Sequence, residues 1–253
     1  MKTRLDRPAT ADGLFVWVLH RFAGVFEEHA IVKGGIALRL HDCPRSTTDI
    51  DYVFVPFRSK KEVVAKLARV LAEIEGADVA VEVHSKMIHA RLAVDDAAIQ
   101  IAANVDVECP SVAVPTASFA LRQGQPSRLV RVMALDRALA HKLAAWNERR
   151  LLRDLYDIYY LAARLGARPD EVALRRRLTK IESRLPALKN RKSMTMPEFT
   201  ATLRKALDAL DDAAVRDQLA PVLPVDEVEG LLPRLRAGVT KVIEGLERAR
   251  DAK

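Results

Sequence analysis

The chain of 253 residues has room for one elaborated domain or two smaller ones, and its 49% hydrophobic and 30% charged content excludes a disordered or collagen-like polypeptide. No run approaches the ~18 apolar residues of a membrane span, so neither signal peptide nor anchor is expected; two cysteines, Cys43 and Cys109, are too few for a disulfide framework or a zinc site and point to a reducing cytoplasm. An excess of 41 Lys and Arg over 34 Asp and Glu gives +7 and permits a polyanionic partner, with the charge concentrated in residues 168–192, where nine Lys/Arg stand against Asp170, Glu171 and Glu182.

Residues 12–30 place Leu14, Val18, Phe22, Val25 and Phe26 at helical spacing, which predicts an amphipathic helix with Asp12 as its N-cap. The next stretch changes character. A short apolar step reaches Gly34-Gly35, a small helical segment and a polar loop follow, and a β-rich run starts at Asp49 and ends at Pro56. Ser59, with Glu62 three positions on, opens a predicted helix that stops at Gly76. Three alternating runs, broken at Ser85-Lys86 and Asp95-Asp96, predict three strands of a mixed or antiparallel sheet. After Pro115 the composition shifts to long Leu/Ala/Arg-rich stretches, and from about residue 130 the chain reads as all helix. An α+β protein is expected, with a mixed-sheet domain over 1–125 followed by a helical domain over 126–253.

The sharpest local pattern is Lys33-Gly34-Gly35, thirteen residues, then Asp49-Ile50-Asp51. On a strand, residues i and i+2 share a face, so Asp49 and Asp51 stand side by side while Ile50 turns into the core. Adjacent carboxylates repel unless a cation lies between them, and Mg²⁺ favours one or two carboxylates together with substrate phosphates. A Gly-Gly turn leading into a short helix exposes backbone N–H groups suited to a phosphate chain, with Arg45 and Thr48 just before the acidic pair. Asp106, between Val105 and Val107 on a later predicted strand, is a candidate third carboxylate for a two-metal site. Singly, an Asp-x-Asp is most often a solvated strand end and a Gly-Gly a turn; their order and combination favour catalysis.

These residues resemble the nucleotidyltransferase superfamily signature, a small-residue turn followed by an acidic pair and a later third acid. The wider run from Val32 to Phe54 is similar to the AbiEii-like branch, the toxins of bacterial toxin-antitoxin and abortive-infection systems that include the MenT-like enzymes. His141–Trp146 and Arg149–Leu161 resemble that branch's Lys-bearing helix and its Arg-Asp-x-x-Asp helix. The resemblance implies a nucleotidyltransferase-like N-terminal fold, with Asp49 and Asp51 as the catalytic metal-binding pair and Asp106 as the further ligand. It places Gly34, Gly35 and Lys142 at the nucleotide, where the neighbouring Lys33, Arg45 and Thr48 are further candidate contacts, and Asp157 as the late catalytic or site-organising acid, with Asp154 competing for that role. Many nucleotidyltransferases have Gly-Ser where Gly34-Gly35 stands, so the serine contact to phosphate is absent, as it also is in part of the AbiEii-like branch.

The implied reaction is Mg²⁺-dependent transfer (Mn²⁺ being the other cation considered) of a nucleoside monophosphate from a nucleoside triphosphate, CTP or another pyrimidine nucleotide, to the 3′ end of tRNA. That would block aminoacylation and translation, and a cognate antitoxin is the expected partner. A protein-hydroxyl or small-molecule acceptor, and a non-catalytic RNA-binding or partner-binding protein of the same fold, stay open as alternatives. On one continuous helix Lys142, Arg149, Arg153 and Asp157 would share a face. Ser46, Thr47 and Thr48 are hydroxyls where phosphorylation would put negative charge beside the acidic pair. His84 and His89 read as ordinary strand imidazoles, Tyr156, Tyr159 and Tyr160 as packing residues, and Lys189–Lys192 as a solvated loop.

Overall fold

A computed structural model describes residues 8–183 and 185–251 and divides the chain into two compact units, the first ending at Met133 and the second beginning at Ala134. In the first unit, α1 (Ala11–Phe26) is followed by β1 (Ala30–Lys33), α2 (Gly34–Arg39), β2 (Asp49–Phe54) and α3 (Lys61–Leu71). Then come β3 (Asp78–Val83), β4 (Ile88–Val94), β5 (Ala97–Val105), β6 (Ser111–Pro115), α4 (Ala117–Leu121) and β7 (Leu129–Met133). The strands form one mixed sheet in the order β3-β4-β5-β2-β1-β7-β6, with β2 parallel to β5, β1 parallel to β7 and the other neighbours antiparallel.

Alternation along the strands divides this sheet into two chemically different faces. Ile50, Tyr52 and Phe54 of β2, Ile99 and Ile101 of β5, and Ile88, Ala90 and Leu92 of β4 are buried in one core with α1 and α3. Phe22 meets the Tyr52 ring at 4.9 Å and Phe26 meets Phe54 at 4.8 Å, so α1 lies across the centre of the apolar face. The opposite positions, Asp49, Asp51, Gln100, Ala102, His89 and Arg91, are half-buried or exposed. A one-residue slip in any pairing would exchange these sets, so burial of the aromatic and aliphatic face fixes the register that displays the carboxylates.

Three details differ from the sequence reading. Thr10, not Asp12, caps α1 by accepting from the Gly13 amide; Asp12 instead receives both guanidinium nitrogens of Arg39 at 2.7 and 2.8 Å, which lowers its pKa. Ser59 precedes α3 as expected and Glu62 accepts from its amide at 2.7 Å, but the helix begins at Lys61. The all-helical stretch starts later than residue 130. Leu129–Met133 is a strand that joins β1 to β6, so the first unit extends eight residues beyond the expected boundary at 125 (133 − 125).

The second unit holds α5 (Leu135–Arg149), α6 (Leu152–Tyr159), α7 (Glu171–Leu178), α8 (Met196–Asp208), α9 (Asp212–Leu219), α10 (Val225–Val228) and α11 (Leu231–Asp251). A π-helical turn, Tyr160–Arg164, prolongs α6. Buried Leu139, Leu143 and Trp146 of α5, Leu155 and Ile158 of α6, Phe199 and Leu203 of α8, and Leu235, Val239 and Ile243 of α11 supply its apolar interior. Tyr156, Tyr159 and Tyr160 are buried too, as packing residues. No helix among the described residues is long and apolar enough to cross a membrane.

His20 on α1 is fully buried, and its Nε2 lies 2.9 Å from the Thr116 hydroxyl. Burial, with the Arg128 cation second, pushes its pKa down to about 4 from 6.5. The folded state therefore keeps this ring neutral: its contribution is complete above the unfolded value and is lost as pH falls from about 6.5 toward 4. A drop in unfolding free energy on the order of 3 kcal/mol is expected from this group across that interval. In urea titrations the stability gap between wild type and His20→Gln should narrow over that range; a pH-independent gap would contradict the assignment.

Candidate functional site

The residues singled out in the first unit converge where β1 ends and β2 begins. Antiparallel pairing sets Lys33 directly across from Asp51, and their side chains form an ion pair of 3.7 Å. The chain then turns at once into α2 through Gly34, whose φ of +73° is disfavoured for a residue with a side chain. A Cβ at Gly34 would collide with the Asp51 carboxylate, so the missing side chain is what lets that carboxylate lie against the backbone. Gly35 is closed in similarly: its Cβ would come within 2.7 Å of the Thr47 hydroxyl and 3.1 Å of Arg45 Nη2.

The loop that returns to β2 therefore wraps the glycine turn. Arg45 is buried there and donates to the Ser46 carbonyl at 2.9 Å, so its guanidinium sits beside Gly35 within the loop. Thr47 is half-buried and brackets the Asp49 backbone, donating to its carbonyl at 3.3 Å and accepting from its amide at 3.4 Å. Thr48 and Ser46 are exposed, and the Thr48 hydroxyl donates to Asp49 Oδ1 at 3.0 Å. Lys33, Gly34, Gly35, Arg45, Thr47, Thr48, Asp49 and Asp51 thus form one neighbourhood, as the spacing anticipated.

Asp106 does not join it. Because β5 runs parallel to β2, the residue beside Asp49 is Gln100 and the one beside Asp51 is Ala102, while Val105 lies beside Phe54 at the far end of the strand. Asp106 follows Val105, four positions and roughly 13 Å along the strand direction from the level of Asp51. Its side chain is exposed and accepts from the Val107 amide at 2.7 Å. Among the described residues no group of three or more His, Cys, Asp or Glu is placed to hold a metal ion. The donor set that remains, two partly exposed carboxylates on one strand face with Asp51 packed on the bare Gly34 backbone, suits a hard cation whose other ligands are substrate phosphates and water.

The second cluster lies within the other unit. The continuous helix that would align Lys142 with Asp157 on one face is not formed, because Arg150 adopts a left-handed conformation, φ 57°, and ends α5. The Arg150 guanidinium stacks on the Trp146 ring at 4.2 Å, and α6 restarts at Leu152. The resulting α5–α6 corner brings the same residues together by another route. Lys142 Nζ lies 2.5 Å from Asp157 Oδ2 and 3.6 Å from Asp154 Oδ1. Asp157 and Asp154 are 0% and 1% exposed, so these are buried charges that need partners. Arg149 closes the cluster, donating to both oxygens of Asp154 at 2.6 and 2.9 Å through Nη2. Arg153, placed on the expected stripe, is exposed instead.

Sequence reasoning left Asp154 and Asp157 as competitors, yet both hold Lys142, Asp157 as the nearer partner and Asp154 as the link to Arg149. Spacing could not separate them because they lie three positions apart on one helical face. Lys142→Met would leave Asp157 buried without its ammonium partner, and a loss of about 3 kcal/mol in urea unfolding is expected, partly recovered by adding Asp157→Leu. An unchanged unfolding midpoint for the single variant would show that this pair does not stabilise the fold.

No curated protein matches the chain. Among solved structures, MenT4, a nucleotidyltransferase toxin from Mycobacterium tuberculosis H37Rv, superposes with a TM-score of 0.61 at 18% identity, over 94% of this chain and 82% of its own. A candidate nucleotidyltransferase from H. pylori superposes at 0.53 and 14% identity, over 96% of this chain and 98% of its own. At such identities these similarities speak for the fold. The family model described as nucleotidyl transferase AbiEii toxin, type IV toxin-antitoxin system, matches residues 17–234, which include both clusters. The chain belongs to the AbiEii nucleotidyltransferase toxin family.

Proposed function

We propose that the chain transfers a nucleoside monophosphate from a nucleoside triphosphate, CTP or another pyrimidine nucleotide, to the 3′ end of tRNA, with Mg²⁺ or Mn²⁺ as cofactor, and so blocks aminoacylation in the cytoplasm. The observation that carries this reading is the packing of the Asp51 carboxylate on the bare backbone of Gly34 with Asp49 beside it on the same strand face. A phosphate-accommodating turn and a pair of hard oxygen donors are thereby held together. The charge of +7, concentrated in residues 168–192, supports an RNA acceptor because phosphate contacts give affinity without sequence preference.

Asp49 and Asp51 would hold the divalent cation, which when bound neutralises charge on the reacting phosphoryl group and on the leaving pyrophosphate. Lys33 restrains Asp51 from the neighbouring strand and adds positive charge at the turn. Gly34 and Gly35 add no side chains of their own to the turn, against which Asp51, Thr47 and Arg45 pack, and the triphosphate would bind at this turn with Arg45 and Thr48 beside it. Lys142 is assigned to the nucleotide phosphates by its match to the family lysine, and Asp157 acts on it as a positioning residue through their 2.5 Å contact. In the transfer, the acceptor hydroxyl oxygen forms a bond to the α-phosphorus and the bond from that phosphorus to the bridging oxygen breaks. Pyrophosphate leaves and the hydroxyl proton is lost to solvent.

A cognate antitoxin is the regulatory partner. Ser46 and Thr48 are exposed and Thr48 already touches Asp49, so a phosphate on Ser46, Thr47 or Thr48 would bring about −2 charge to the carboxylates and oppose cation binding. Total tRNA incubated with the protein, Mg²⁺ and each labelled nucleoside triphosphate singly is expected to take up label from a pyrimidine nucleotide, and Asp49→Ala is expected to lose at least ~100-fold in rate. Label on protein or small molecules but not on RNA would replace the acceptor, and no transfer to any acceptor would refute the reading.

A further inference from the structure

We propose that a cleft between α11 and the π-helical end of α6 binds the phosphodiester backbone of the RNA acceptor, an assignment that rests on the reading of the acceptor as tRNA. The cleft, of about 780 Å³, lies wholly within the second unit and takes no part in the Lys142 cluster. Its shape follows from two glycines on α11. At Gly238 a Cβ would come within 2.7 Å of the Tyr159 ring and 3.2 Å of Ala163, so the two elements touch there. Two turns on, the Cβ position of Gly245 has no atom within 4 Å, so the walls have parted and the helix backbone is bare. The opposing wall is the π-helical turn, a helical irregularity found disproportionately at functional sites.

The charges around this wedge are unbalanced. Arg234, Lys241 and Arg248 repeat every seven residues along α11, roughly 10 Å apart, on the stripe that lines the cleft. Arg234 is committed to the protein, donating to the carbonyls of Glu227, Glu229 and Gly230, and it closes one end. Lys241 and Arg248 are exposed, as is Arg168 on the facing wall, and none of the three forms an ion pair among the described residues. Glu171, the acid lining the cleft, has its carboxylate taken by Arg175 at 3.4 Å. Lys241 and Arg248, roughly 10 Å apart along α11, are too far separated to meet on one phosphate, and Arg168 adds a third such cation from the facing wall. They match a chain of phosphates laid along the helix, which neutralises each in turn and releases counterions.

The test measures equilibrium binding of fluorescein-labelled tRNA by anisotropy across a salt series, for wild type and for Arg168→Glu/Lys241→Glu. The variant is expected to bind at least ~10-fold more weakly at low salt, with the slope of log K against log [salt] reduced by about 2, one unit per lost contact. Lys241→Arg should retain wild-type binding. Circular dichroism and the affinity for a non-hydrolysable nucleoside triphosphate should be unchanged in both, because neither residue belongs to the glycine turn, the acidic pair or the Lys142 cluster. Wild-type affinity and slope in the charge-reversed variant would overturn the cleft assignment while leaving transfer to tRNA intact. A wild-type protein that neither binds nor labels tRNA would overturn the acceptor reading itself, and one that holds an acidic polypeptide in the cleft while RNA binding survives the substitutions would give the cleft to a protein partner.

Discussion

The antiparallel pairing of β1 with β2 sets Lys33 across from Asp51 and delivers the chain into Gly34 immediately afterwards, and the remaining site geometry depends on that register. Strand geometry alone puts Asp49 and Asp51 on one face, but it says nothing about what lies over them. The turn at Gly34 brings backbone where any other residue would bring a side chain, and the 45–48 loop returns across Gly35 to lock the arrangement. The same register is enforced from the opposite face, where Tyr52 and Phe54 meet Phe22 and Phe26 of α1. Core packing and site geometry are two sides of one strand.

The second unit uses charge differently. Lys142, Asp154, Asp157 and Arg149 are drawn into a largely buried cluster that no single helix could form, made by a left-handed break at Arg150 and a fresh start at Leu152. Such a cluster is costly to desolvate and survives because each carboxylate has a cation within hydrogen-bonding reach. Its value lies in orientation: an ammonium held by two fixed carboxylates has little freedom to wander.

Much of this was legible in the amino-acid sequence, for identifiable reasons. Alternation from Asp78 to Val105 and the breaks at Ser85-Lys86 and Asp95-Asp96 announced three strands, and three strands are present. The Gly-Gly turn and acidic pair were visible because both depend on local geometry. What failed depended on partners distant in sequence. Asp106 follows the end of the neighbouring strand, away from the level of the acids, since only the pairing of β2 with β5 reveals that Gln100 and Ala102 flank them. Leu129–Met133, a short stretch with Arg131 among apolar neighbours just ahead of a long helix, reads as helix until β1 and β6 are there to pair with it. Of the residues that one continuous helix would align, Lys142, Arg149 and Asp157 do meet, with Asp154 in place of Arg153, because one left-handed residue redirects the chain without disturbing its periodicity.

The close approach of Asp51 to the Gly34 backbone is best tested by calorimetric titration of Gly34→Ala with Mg²⁺ and a non-hydrolysable nucleoside triphosphate. A Cβ at a φ of +73° and against the carboxylate should weaken nucleotide binding at least ~10-fold, while circular dichroism shows the fold retained at a cost of about 1–2 kcal/mol. Wild-type affinity in the alanine variant would contradict the account, since the carboxylates and the phosphate-binding turn would then not depend on that contact.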